Sequence, residues 1–136
     1  MKRSERIQTI VELKALQEQK SLEVLAKCQQ KHQDALQQLE HLQSYRREYM
    51  EKFQSNSSGG MGVKVLLDFR LFIDKLDQAI AGQIKLLQET EQDVMQQRKV
   101  WEGMHQHTKS LQKVCDGIVA EENQMQHKRE QAESDR

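Results

Sequence analysis

Residues 69–132 read FRLFIDKLDQAIAGQIKLLQETEQDVMQQRKVWEGMHQHTKSLQKVCDGIVAEENQMQHKREQA. Stepping by four and three from Phe69, the stations are Ile73, Leu76, Ile80, Gln83, Leu87, Thr90, Val94, Gln97, Trp101, Met104, Thr108, Leu111, Cys115, Ile118, Glu122, Met125, Arg129 and Ala132. Most are apolar, and the alternation runs for about nine heptads without a phase slip. This pattern predicts one long helix that buries a narrow stripe against another helix, because a globular core would widen the stripe and end the helix sooner.

Upstream of this stretch, SNSSGGMG from Ser55 to Gly62 supplies a helix stop and glycines for a chain reversal. Before it a second stripe steps through Leu25, Cys28, His32, Ala35, Leu39, Leu42, Arg46, Tyr49 and Phe53. Further upstream the phase blurs. Ile10, Leu13, Leu16 and Leu22 compete there with Ile7, Val11 and the polar Lys14 and Glu18, so a stutter or a frayed N-terminal quarter is expected. The expected fold is all-α, a long antiparallel two-helix coiled-coil hairpin with a C-terminal helical overhang. One domain over 1–136 is expected, with helix 1 at about 3–54, the turn at 55–62 and helix 2 at about 64–131.

Composition agrees with a long and thin molecule. The 136 residues contain no proline, which costs about 3 kcal/mol inside a helix, and only 4% aromatics, too few for a compact globule. Acidic and basic residues cancel at 21 each, so the chain lacks the positive field that nonspecific nucleic-acid binding requires. No stretch approaches the roughly 20 apolar residues of a membrane span, and MKRSERIQTIVELK lacks the apolar block of a signal peptide. The expected location is the cytoplasm, with no direct membrane insertion.

Folding at the glycines with equal rise in both helices pairs residues whose numbers sum to about 118. Phe53 then lies near Val65, Tyr49 near Phe69, Leu42 near Leu76 and Ala35 near Gln83. Cys28 falls opposite Thr90, roughly 37 Å from Cys115, so both cysteines are expected as reduced packing residues. Helix 2 outruns helix 1 by about 20 residues in this register, and the overhang, with Ile118 and Met125 on its seam, is either a contact site or a frayed polar tail.

Near the turn, Tyr45 and Phe72 fall off the main stripe and the register places them side by side. With Gln38, Leu42, Tyr49, Leu76, Ala79 and Gln83 they form a candidate surface about three turns long. Two readings stand open: a protein-docking surface, or aromatic cover on the edge of the coiled-coil core. Burial of Phe72 separates them.

Chemistry is not in evidence. His105 and His107 lie two apart and point about 200 degrees away from each other, so they are not a metal pair. His32 occupies a seam station, whereas His41 and His127 sit among polar neighbours. GGMGVK lacks the spacing and the preceding strand of a phosphate loop. No residue stands out as catalytic, cofactor-binding or metal-ligating; Trp101 reads as a seam residue, and the chain is not expected to be an enzyme. Gly82, Gly103 and Gly117 inside helix 2 are either neutral surface positions or places where a partner approaches closely or the helix bends.

The segments QQLEHLQSYRREY, RLFIDKLDQAI and RKVWE, through Gln38, Leu39, Leu42, Tyr45, Glu48, Tyr49, Phe72, Ile73, Leu76, Ala79, Ile80 and Trp101, resemble the flagellar export protein FliJ family. The resemblance covers about residue 10 to the end; the ending AESDR departs from the family's usual acidic, phenylalanine-containing tail. It implies a component of the flagellar type III export apparatus, peripherally associated with the inner face of the cell membrane and built like the two-helix stalk of a rotary ATPase. The implied partners are the hexameric export ATPase FliI with FliH, the cytoplasmic domain of the export gate protein FlhA, and export chaperones. By that likeness Gln38, Leu42, Tyr45, Tyr49, Phe72, Leu76, Ala79 and Gln83 meet the gate, and the helix ends, with Ile7, Ile10, Val11, Ile118 and Met125, enter the ATPase ring. The alternative is the stalk or chaperone-like coiled coil of a related virulence secretion system.

Overall fold

A computed structural model describes residues 2–56 and 59–136. Two helices account for nearly all of them, α1 (Arg3–Asn56) and α2 (Val63–Ser134), packed against each other as an all-α helical hairpin; no strand occurs among the described residues. The glycine-rich break falls between them. Gly60 takes a φ of 83°, a left-handed conformation that glycine reaches without a Cβ clash. The amide of Leu66 donates to the carbonyl of Gly62 and opens the second helix. Ser57 and Ser58, inside the expected turn, lie outside the described residues.

The chain divides into two compact units, Met1–Leu25 with Gln96–Arg136 and Ala26–Met95. In the unit next to the turn, Ala35 and Leu39 of α1 are buried with Ile73, Leu76 and Thr90 of α2. All five are seam stations. Burying a side chain of leucine or isoleucine size contributes about 1.5–3 kcal/mol, so a few per unit, spaced by heptads, hold the helices together. Polar pairs fill the layers between. Gln83 Nε2 donates to the Ala35 carbonyl at 2.9 Å, using that oxygen's second lone pair, and His32 Nδ1 meets Thr90 Oγ1 at 3.0 Å. The Ala35–Gln83 pairing follows the register counted from the turn; Thr90 faces His32 rather than Cys28.

In the other unit the seam runs through Ser4, Val11, Ser21 and Leu25 of α1 and Cys115 and Ile118 of α2, all buried. The expected stutter resolves in favour of the more polar stripe. Val11 is 4% exposed whereas Ile10, Leu13 and Leu16 are 48–54% exposed, and Lys14 and Glu18 are half-covered. Cross-helix polar contacts explain the choice: Glu18 Oε1 meets His105 Nδ1 at 2.5 Å, Cys115 Sγ lies 3.3 Å from Gln8 Oε1, and Ser4 binds Glu122. A roll of α1 that buried Leu13 and Leu16 would break all three.

These contacts also correct the length of the overhang. Counting back from the turn sets Ser4 near residue 114, but it meets Glu122. Only the residues after Glu122, about twelve of helix or roughly 18 Å, extend past the start of α1. Ile118, expected on the overhang, is 7% exposed and packs in the unit, while Met125 is 54% exposed. Both cysteines are free, Cys115 buried and Cys28 half-buried.

Candidate functional site: an aromatic face beside the turn

Helical spacing brings Tyr45, Tyr49 and Phe53 onto one side of α1 at four-residue intervals and Phe69 and Phe72 onto the facing side of α2. The rings form a connected set. Phe53 stacks on Phe69 with centroids 3.6 Å apart, Tyr49 lies 5.5 Å from Phe69 and 4.5 Å from Phe72, and Tyr45 meets Phe72 edge-on at 6.0 Å. None of the five rings is fully buried, and Phe53 and Phe69 at the turn end of the set are half-buried. Tyr45 stays 49% exposed, and Tyr49 and Phe72 are half-buried. Phe72 therefore packs on Tyr49 and also keeps an open edge, so it falls between the two outcomes that its burial was expected to separate.

Around the rings, Gln38 and Ala79 are exposed and Leu42 is half-buried, whereas Leu76 is buried at 8% and supports the face from beneath. Gln83 is half-buried with its amide committed to Ala35. A groove of about 370 Å³ continues the face, with Gln38 and Gln83 in its walls together with Leu86, which is 44% exposed. Leu86 lies off the seam at helical spacing from Gln83 and Ala79, a signal that the stripe alone does not carry. Beside the rings, Arg46 Nε donates to Asp77 Oδ1 at 2.6 Å. That hydrogen bond and the charge of Asp77 push the arginine's already high pKa further up, so the guanidinium stays charged at the border of the face.

At the free ends of the helices, Ser4 gives its hydroxyl to Glu122 Oε2 at 2.5 Å and its backbone N–H to Oε1 at 3.2 Å. The first amides of a helix lack internal partners, and here a carboxylate from the other helix accepts one of them. Hydrogen bonding from the Ser4 hydroxyl is the main reason that the Glu122 pKa lies below its ordinary value; burial opposes it, and the Ser4 amide, Lys2 and Arg3 add to it. Of the residues expected to meet a ring at these ends, Ile10 and Met125 are exposed, Ile7 is half-buried, and Val11 and Ile118 are interior.

Among the described residues no group of histidine, cysteine and acidic side chains is arranged to hold a metal ion, and no helix is long and apolar enough to cross a membrane. His105 is engaged with Glu18 and stacks on Trp101 at 5.0 Å; this intrahairpin role is invisible to a search for ligand spacing.

By fold the chain is of the class of long all-α helical hairpins. The family model described as Flagellar FliJ protein matches residues 2–135, and the chain belongs to the FliJ family, a non-catalytic component of flagellar protein export. No curated protein and no solved structure matches it.

Proposed function

We propose that this chain is a cytoplasmic, non-catalytic link in the flagellar type III export apparatus. It joins the FliI ATPase ring, with FliH, to the cytoplasmic domain of the gate protein FlhA, promotes ring assembly and assists export chaperones at the membrane's inner face. The observation that carries the reading is the aromatic face. Tyr45 stands 49% exposed on a base of rings, beside Gln38 and Ala79, the composition and rigidity of a binding hot spot. Gln38, Leu42, Tyr45, Tyr49, Phe72 and Ala79 make the gate contact, with Leu76 and Gln83 holding the face in shape. Ile10 and Met125 are the ring contacts at the helix ends, and Ile7, Val11 and Ile118 position them.

Tyr45 separates contact from packing better than Phe72 does, because more of it is open. Titrating the FlhA cytoplasmic domain with Tyr45→Ala is expected to weaken binding by about tenfold or more while the circular dichroism spectrum stays that of the wild type. Unchanged affinity would remove the aromatic face from the gate contact. Truncation after Glu122, which spares the Ser4 contact, is expected to lower stimulation of the ATPase; full stimulation by the shortened chain would exclude the overhang from ring binding.

A further inference from the structure

The first 25 residues of α1 carry two stripes, and the hairpin uses the more polar one. Ser4, Val11, Ser21 and Leu25 face α2 and are buried, which leaves Ile10, Leu13 and Val24 exposed at 48%, 54% and 45%. At 100 degrees per residue these three share an arc of about 60 degrees. Across from them on α2, Val100, Met104 and Val114 are also exposed, at 41%, 39% and 51%. A groove of about 370 Å³ between the helices is lined by Lys14 and Gln17 of α1 and by Val100, Gly103, Met104, His107 and Thr108 of α2, with Ile10 and Leu13 outside its lining on the α1 side. At Gly103 an added Cβ would meet nothing within 4 Å, so the wall drops to bare backbone facing open space.

Charge sorts around this groove although the chain as a whole is neutral. The helical arc of Ile10, Leu13 and Val24 also holds Arg6, Lys20 lies about 20 degrees beyond its edge, and Lys14 and Lys99 stand in the groove lining. The acids of the same segment, Glu5, Glu12 and Glu23, gather roughly 100 degrees further round α1, and Glu5 and Glu12 line a groove with Cys115 and Val119 on the hairpin's other side.

From this arrangement we infer that the groove between the N-terminal part of α1 and the Val100–Val114 part of α2 takes one amphipathic helix of another protein, with an apolar ridge and acidic flanks. The ridge lies against Ile10, Leu13, Val100 and Met104, Gly103 admits the closest approach of the incoming backbone, and the acids meet Arg6, Lys14, Lys20 and Lys99. A second copy of this chain docking through the same face would bring base against base. A bilayer is disfavoured because the strip lies in a recess between two helices rather than on a prominent face. The inference does not involve the aromatic face; it shares Ile10 with the contact proposed for the ATPase ring, and the variants that test it, at Leu13 and Gly103, lie outside that contact.

The test uses the full chain and a labelled synthetic helix of about three heptads, with leucine at a and d and glutamate at e and g. Repulsion between its glutamates keeps the peptide from pairing with itself. Fluorescence anisotropy is expected to show binding that weakens with salt, and a version with lysine in place of glutamate is expected to bind at least about tenfold more weakly. Gly103→Leu fills the groove from an open position and Leu13→Glu puts an acid in the strip. Each is expected to lower affinity about tenfold or more with helicity and melting temperature retained. Absence of binding, equal affinity for the two peptides, or wild-type affinity of Gly103→Leu overturns the inference. So does cosedimentation with phosphatidylglycerol vesicles in place of peptide binding.

Discussion

Two buried hydroxyls on the seam give opposite expectations for the same kind of substitution. Ser21 is 8% exposed and its Oγ has no hydrogen-bond partner among the described residues, whereas Thr90 is 9% exposed and its Oγ1 donates to the Leu87 carbonyl at 3.0 Å while facing His32 Nδ1. An unpaired buried hydroxyl costs about 1–3 kcal/mol in lost hydration. Alanine is also a better helix former than serine by about 0.5 kcal/mol. Ser21→Ala is therefore expected to stabilise the protein by about 1.5–3.5 kcal/mol, a rise in melting temperature of at least about 5 °C for a chain of this size. Thr90→Ala removes a satisfied hydroxyl and a packed methyl, leaves His32 short of a partner, and is expected to destabilise by about 1 kcal/mol after the gain in helix propensity. Thermal and urea denaturation followed by circular dichroism at 222 nm measures both. A Ser21→Ala variant that melts at or below the wild-type temperature would refute the reasoning, because it would mean that the hydroxyl is satisfied in the folded protein.

Two further expectations concern the helix ends and the thiols. Glu122 has a folded pKa below its unfolded value, so the Ser4–Glu122 contact contributes stability that is fully present above about pH 4.5 and is lost as pH falls through the depressed pKa. Amide exchange at residues 4–8 should accelerate through that acid window relative to the residues near the turn, and Glu122→Gln should abolish the difference; identical pH profiles for the two proteins would count against it. Cys115 is 2% exposed and Cys28 is half-buried, so a thiol reagent should modify Cys28 promptly and Cys115 about two orders of magnitude more slowly, through opening of the hairpin. Comparable rates would show that the N-terminal part of α1 does not cover Cys115.

The sequence by itself determined that there are two helices, where they break and which residues line the seam over most of their length. These follow from local causes: the period of apolar residues, the absence of proline and a glycine able to adopt a left-handed turn. It also brought Tyr45 and Phe72 together, because near the turn the connection fixes the pairing within a residue or two. Only the tertiary structure decided the register at the free ends, where Ser4 meets Glu122, and the choice of Val11, Lys14 and Glu18 over Ile10, Leu13 and Leu16. The physical reason is that apolarity along α1 alone favours the other face, so the choice rests on partners across the hairpin. Hydrogen bonds to the opposite helix select between them, and a period read along one chain segment carries no record of those partners.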